Sequence, residues 1–434
     1  MGRELRQPPS PLRCPNRRTA GKARAARRPI ASAAHGAGCR PPGGSQGRGA
    51  TESLTVPRWR SAAVPLVLCL LCACSGRGEE TAVAEAHDTS NPYDQEKVVN
   101  VYSWANYIAP DTVSNFEKET GIKVRYDVYD NNEVLETKLL SGHSNYDVVV
   151  PTDVFFDRQR EAGVYRRLDK RALPNLANVD PEIMRRMAVH DPGNMHAIPY
   201  MWSTTGLGYN VDMVRKRLGE HVPDSWALLF DPKIAAKLKD CGILIVDSPI
   251  DVFGSALIYL HRDPQRHDPQ DVLVAAELLH AIRPLIRNVD AAAIAPLATG
   301  DVCLELAWSG DVEAARNRAI EAATGAHIAY LIPSEGALTT IDMVAIPADA
   351  PHPHNAEIWM NYLLRPDVIA GISNYIRYPN GIAASLPLID AAVRDDPAVY
   401  PDAATRARLV TSVPLPLNYS RLVTRAWTRF RTGQ

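Results

Sequence analysis

From residue 98 onward, short β-branched runs alternate with stretches whose apolar positions recur every three or four residues. The first run, 98–102 (Val-Val-Asn-Val-Tyr), leads to a helical pattern over 111–120, a Val-rich run over 122–129, a helical pattern over 133–140 and a third run over 146–150. The alternation resumes with a strand at 242–246, a helix at 272–283, a strand at 302–308, a helix at 312–323 and a strand at 327–332. Residues 343–347 are again strand-like, and 355–364 are helical before Arg365-Pro366. Runs that short suit buried strands, and strands alternating with amphipathic helices predict an α/β architecture on a parallel sheet. No repeat of 20–50 residues is visible, which removes solenoids and propellers.

The pattern fails before residue 98. Residues 1–55 are rich in Arg, Pro, Gly and Ala without periodicity, so they cannot bury enough apolar surface to offset their ordering entropy. A basic segment, Pro57-Arg58-Trp59-Arg60, then precedes an apolar run from Ala62 to Ala73 and the sequence Cys74-Ser75-Gly76. That order is a secretory signal rather than a membrane span, and Leu71-Cys72-Ala73-Cys74 resembles a bacterial lipoprotein box with Cys74 as the lipidated residue. The expected organisation is therefore a lipoprotein signal at 56–74 and a polar tether at 75–96. The first 55 residues then reflect either a misassigned start, with translation from near Leu54 or Val56, or a disordered extension.

Charge sharpens this division. Residues 1–60 hold 13 Lys+Arg and 2 Asp+Glu, whereas the chain after Cys74 holds 35 basic and 47 acidic residues, a formal charge of −12. An acidic body argues against nucleic acid, which needs basic surface, and is compatible with a cationic ligand or simply with solubility. The 434 residues suggest about two or three domains, and 46% hydrophobic with 22% charged residues is an ordinary globular balance. Beyond Cys74 only Cys241 and Cys303 remain, which in an exported protein suggests one disulfide, two buried thiols being the alternative.

Catalytic and cofactor motifs are scarce. There is no Walker loop and no G-x-S-x-G elbow, and Gly206-Leu207-Gly208 lacks the third glycine of a dinucleotide fingerprint. His352 and His354 alternate with prolines in an expected surface loop, and no Cys/His cluster has metal-ligand spacing. Aromatic residues do follow strands beside isolated carboxylates: Trp104 and Tyr107, Trp308 and Asp311, then Asp342 and Tyr378. Open α/β sheets bind ligands just beyond strand ends, ring faces attract ammonium groups, and carboxylates pair with them. The same residues also read as core aromatics and helix caps, with Asp311 capping a helix at 312–323.

Beyond these patterns, 98–434 resembles the periplasmic putrescine-binding proteins of polyamine ABC transporters. The resemblance is carried by Tyr102-Ser103-Trp104-Ala105-Asn106-Tyr107-Ile108-Ala109-Pro110, Asn115-Phe116-Glu117-Lys118-Glu119-Thr120-Gly121, Tyr146-Asp147-Val148-Val149-Val150-Pro151 and Ile198-Pro199-Tyr200-Met201-Trp202. Gly208-Tyr209-Asn210, Trp308-Ser309-Gly310-Asp311-Val312 and Tyr362-Leu363-Leu364-Arg365-Pro366-Asp367-Val368 continue it. It implies a two-lobed α/β binding protein of type II, each lobe a sheet flanked by helices, with the ligand in the cleft between them. Lobe 1 is expected at 97–204 and 329–368 and lobe 2 at 205–328 and 369–434, with crossings near 204–208, 327–332 and 364–372. Binding would close the lobes about a hinge.

The same resemblance implies Trp104, Tyr107, Trp308 and Tyr378 as walls for an aliphatic chain, and Asp311 and Asp342 as carboxylates for one ammonium. Thr152 stands where the family has a contacting serine and Asp251 where a glutamate serves the far ammonium, and paired cysteines coincide with Cys241 and Cys303. Ala105 replaces a serine, Asn106 an aspartate and Thr340 a phenylalanine, which leaves the choice among putrescine, spermidine, cadaverine and agmatine open. The implied partners are a small polyamine, an ABC permease and, through an N-terminal lipid, a membrane; neither cofactor nor catalysis is implied, and the protein is expected to be a monomer. A sensory receptor or a lipid-anchored hydrolase are the rival readings, the second lacking a visible nucleophile–base pair.

Overall fold

The structure is a computed structural model, and residues 94–290 and 294–434 are described. The expected signal peptide, the lipidation site Cys74 and nearly all of the tether lie outside the described residues.

Ten strands form one mixed sheet: β1 (Val98–Trp104), β2 (Lys123–Tyr129), β3 (Val148–Val149), β4 (Ala197–Asn210), β5 (Ile243–Val246), β6 (Asn288–Asp290), β7 (Leu304–Trp308), β8 (Ile328–Leu331), β9 (Ala337–Ala345) and β10 (Leu409–Thr411). Their spatial order is β2-β1-β3-β9-β4-β7-β5-β6, with β10 beside β9 and β8 beside β4. At one end β1 pairs in parallel with β2 and β3, and at the other β5 pairs in parallel with β6 and β7. Apart from β6, these are runs the hydrophobic pattern identifies. Between them the ladders of β4 with β9, β7 and β8, and of β3 with β9, are antiparallel, so the sheet is mixed rather than parallel throughout.

β4 is the element that joins the two ends. Its first part, Ala197 to Thr204, pairs with β9, and from Thr205 it pairs with β7 on one side and from Leu207 with β8 on the other. This strand is buried almost throughout, so it has no alternation of apolar and polar positions to read. Pro199 is absorbed by a register shift between Pro199 and Trp202. Gly206 lets β8 come close: a Cβ there would lie 2.5 Å from the Leu331 carbonyl oxygen and 2.6 Å from the Tyr330 hydroxyl.

Two hydrophobic cores sit on either side of this joint. The first gathers Val101, Phe116, Val148, Ile198, Val344 and Trp359; the second gathers Leu207, Trp226, Ile245, Leu257, Leu306 and Trp427. The arrangement is two-lobed, with helices packed on each part of the sheet. In the C-terminal stretch, Ile369, Ile372 and Ile382 pack into the first core, whereas Tyr419, Val423 and Phe430 pack into the second. Cys241 and Cys303 precede β5 and β7, and their Cα atoms are 5.5 Å apart, inside the span of a disulfide. Among the described residues no helix is long and apolar enough to cross a membrane.

Candidate ligand-binding site

Strand ends deliver the candidate residues to one place. β1 ends on Trp104, and the chain turns through the exposed Ala105 and Asn106 to the buried Tyr107. Asn106 takes a left-handed conformation (φ 56°), which asparagine tolerates better than most residues. Trp104 is half-buried, donates its indole N–H to the Val150 carbonyl at 2.9 Å and packs on Tyr129, with ring centroids 4.8 Å apart. Tyr107 donates to Asp342 Oδ2 at 2.5 Å, and the Tyr200 hydroxyl donates to the Tyr107 carbonyl at 2.6 Å. Asp342 is carried by β9, where Thr152 bridges to it across the backbone. The Thr152 hydroxyl accepts from Asn132 Nδ2 at 3.0 Å, so its own proton is available for another acceptor.

Tyr378 closes the group. Its ring meets Tyr107 edge-on at 5.1 Å, and its hydroxyl is pushed well up, first by burial and then by the charges of Asp311 and Asp342. The ring lies directly on Gly310, where an added Cβ would stand 1.6 Å from Tyr378 Cζ. Asp311 follows in the helix Ser309–Glu321. That helix begins three residues before 312, so Asp311 occupies its first turn and makes no capping bond, contrary to the cap reading. Among the described residues no donor or cation pairs with Asp311, and burial alone pushes its carboxyl up to about 6. Burial pushes Asp342 up to about 7 against the opposing hydrogen bond from Tyr107.

Asp251 differs. It lies in the helix Pro249–Tyr259, accepts from Ser248 Oγ at 2.6 Å and from Trp308 Nε1 at 3.2 Å, and takes a short hydrogen bond from Thr205. Burial raises its pKa and the three donors pull it back only in part. Tyr330 of β8 links this group to the first: its hydroxyl donates to the Thr204 carbonyl at 2.7 Å, and its charge state is felt by Tyr378 and influenced by Asp251. Thr340 sits two residues before Asp342 on β9, its hydroxyl 3.1 Å from that of Ser203.

Thus Trp104, Tyr107, Thr152, Asp342, Tyr378, Asp311, Trp308 and Asp251 are linked through one chain of hydrogen bonds, ring contacts and charge interactions, while Ala105 and Asn106 are exposed. Tyr129, Tyr200, Thr205, Ser248 and Tyr330 belong to the same chain without having been singled out by the sequence pattern. Ser248-Pro249-Ile250-Asp251 has the spacing of a capping box and was the readable signal for Ser248; the others depend on strand pairing. His352 does not stand free on a loop. It precedes the helix Pro353–Leu363, and its Nδ1 lies 3.0 Å from Asp147 Oδ2. Among the described residues no group of three or more His, Cys, Asp or Glu side chains is arranged to hold a metal ion.

Rings and carboxylates with few protein partners among the described residues thus gather at the joint of a two-lobed fold, the architecture of a solute-binding protein. The family profile described as "Bacterial extracellular solute-binding protein" matches residues 111–401, and the chain belongs to that family. It is 48% identical over 343 residues to the putrescine-binding periplasmic protein of Escherichia coli (strain K12), covering 78% of this chain and 93% of that one. It is 44% identical over 366 residues to a putrescine-binding periplasmic protein of Pseudomonas aeruginosa (strain UCBPP-PA14), covering 84% and 98%. A spermidine/putrescine ABC transporter substrate-binding protein of Streptococcus pneumoniae has the same fold, with a TM-score of 0.69 at 24% identity over 77% of this chain and 99% of that one. These relatives are named for binding and transport, not for catalysis.

Proposed function

We propose that the protein captures putrescine outside the cytoplasmic membrane and delivers it to the permease of an ABC transporter. The observation that carries the reading is that Asp311, which has no cation among the described residues, and Asp342, which Tyr107 orients, both act by their charge on the Tyr378 hydroxyl. A primary ammonium supplies the missing donors and the missing charge. Trp104, Tyr107, Trp308 and Tyr378 are the walls for the methylenes, and Asp251 serves the far ammonium, with Thr152 as a hydroxyl contact. The names of the relatives support the ligand.

In this reading the precursor is exported by the signal at 56–74, and lipid on Cys74 holds a monomeric receptor at the membrane facing the periplasm. A Cys241–Cys303 disulfide forms after export and braces the entrances of β5 and β7. The lobes exchange chain within β4, and the C-terminal stretch returns to the second lobe between Ile382 and Tyr419.

A second ligand reading rests on Ser203 and Thr340. Two small hydroxyl residues beside Asp342 leave room and hydrogen-bonding capacity for an amine longer or more polar than putrescine. A relative in Pseudomonas aeruginosa at 42% identity is named as a putrescine/agmatine-binding protein. A thermal-shift series over putrescine, cadaverine, agmatine, spermidine and amino acids separates these readings, because a ligand at 100 times its Kd stabilises the folded state by about 2.7 kcal/mol. Putrescine is expected to give the largest shift. A larger shift with agmatine or spermidine selects the second reading, and shifts with amino acids alone overturn both.

A further inference from the structure

Behind the ligand carboxylates lies a pair of titratable groups that face no solvent. Asp153 and His190 are both fully buried. Asp153 is the first residue of the helix Asp153–Glu161, where an acidic side chain is ordinarily explained by the helix end. One of its oxygens does serve there, accepting the Val154 N–H at 2.8 Å. The other leaves the helix and accepts the N–H of Ile341 at 2.9 Å. Ile341 is the residue immediately before Asp342.

This contact continues a ladder that the backbone has abandoned. β3 pairs with β9 only at Val149 and Ala345. Beyond it the chain bends toward the helix, and three contacts in a row hold β9 to the bend. The Met343 N–H donates to the Pro151 carbonyl at 2.8 Å, Thr152 bridges to Asp342, and the Asp153 carboxylate takes the Ile341 amide as a strand carbonyl would. On the other side of β9, Ile341 pairs with Trp202 of β4. The backbone on both flanks of Asp342 is thereby fixed, and with it the direction from which Asp342 meets Tyr107.

His190 packs beside this carboxyl. Its Nε2 lies 3.6 Å from Asp153 Oδ2 and its Nδ1 3.6 Å from Asp157 Oδ2, and neither ring nitrogen has a hydrogen-bond partner. Asp157 is in turn paired with Arg160 at 2.7 Å, and Arg160 donates to the His190 carbonyl at 2.8 Å. The imidazole thus stands between two carboxylates, with a guanidinium behind the farther one. Burial lowers the proton affinity of the ring and raises that of Asp153, which the neighbouring Asp342 and Asp251 raise further, so the charged form of each is disfavoured.

We propose that Asp153, backed by His190, is a positioning residue for ligand capture: it fixes the Ile341–Asp342 backbone so that Asp342 is aimed at the bound ammonium. The inference rests on the cationic-ligand reading above. Asparagine at 153 has the same shape but only one acceptor, so an amide N–H of either Val154 or Ile341 faces the NH2 group. Leaving a buried donor unmatched is expected to lower affinity roughly tenfold if the loss is expressed through Asp342.

The test is a double-mutant cycle read by calorimetric titration with putrescine. Asp153→Asn is made in the unmodified chain and in an Asp342→Asn background. The expected result is a loss of roughly tenfold in the first and less than about twofold in the second, because without the carboxylate there is nothing left to aim. Equal losses in both backgrounds, or no loss in either, overturn the positioning role. If Asp153→Asn does not fold, His190→Asn takes its place in the same cycle, with the same two outcomes deciding. Failure of the unmodified chain to bind putrescine overturns the ligand reading and this inference together, whereas tight binding with no coupling overturns only this inference.

Discussion

The two acidic ends of the site are built on opposite principles. Asp251 is enclosed by three donors of the protein, Ser248, Thr205 and Trp308. Asp311 has none among the described residues, and Asp342 has the single hydroxyl of Tyr107. A carboxylate already surrounded by donors keeps few lone pairs for a guest, although burial still raises its pKa. A buried carboxylate with few donors binds a proton more readily and gains most from a cation. In the proposed reading the Asp311–Asp342 end is therefore where arrival of the ligand changes the chemistry most, and the Asp251 end is held in place by donors of the protein.

This contrast is most easily broken by removing the unpaired charge. Asp311→Asn is expected to weaken putrescine by about 2–3 kcal/mol, because the ammonium loses its charge partner while the amide keeps the shape. Calorimetry measures it, and unchanged affinity would remove Asp311 from the site. The unliganded variant should melt no lower than the parent, since the lost charge had no partner to stabilise it.

Acidity gives the next effect. Burial lifts Asp311 to about 6 and Asp342 to about 7, above the ordinary aspartate value of 3.8. A carboxyl raised in the folded state binds more protons there than in the unfolded chain. Unliganded stability from these two groups is therefore full below about pH 4 and falls as pH rises through about 6 and 7. Putrescine affinity runs the other way, since it needs both ionised. It is expected to drop by up to about tenfold per pH unit between about 7 and 6, and by up to about a hundredfold per unit below about 6. Titrations across that window check the sign, and affinity that rises on acidification would contradict it.

Geometry at the open end supplies a third, smaller effect. Gly310→Ala forces the Tyr378 ring away, because the new methyl falls 1.6 Å from Cζ. The expected cost is about 1–2 kcal/mol of ligand affinity through the lost wall and cation contact. Tryptophan and tyrosine fluorescence on titration reads the displacement. The smallest effect on affinity is expected at the other end. Asp251→Asn should reduce putrescine binding by about 1 kcal/mol while lowering the melting temperature, since three donors then face an amide with one acceptor. A larger affinity loss there than at Asp311 would reverse the assignment of the two ends.

Much of this was readable in the chain because isolated features carry their own pattern. The β-branched runs of β1, β2 and β5 and the apolar run of β7 announce strands, and the tryptophans that end β1 and β7 mark the candidate site. β4 and β9 were not recognised as full strands: their Gly, Pro and Thr content and two-sided burial erase the alternation, and their antiparallel pairing is a property of the fold as a whole. The same reason hid Thr205, Tyr330 and Asp153. Each acts through a residue brought to it by strand pairing, Trp308, Thr204 or Ile341, that lies far away in sequence. Asp311 also reads as a cap in the sequence, and it is not one because the helix starts three residues earlier than its apolar pattern suggests.

The most direct test of the account is a calorimetric titration of the unmodified protein with putrescine near about pH 6.5, repeated in two buffers of different ionisation enthalpy. The account predicts one ligand per chain and a net release of protons, because Asp342, with Asp311 in part, must ionise to receive the ammonium. Tight binding with no proton release, or with proton uptake, would contradict it.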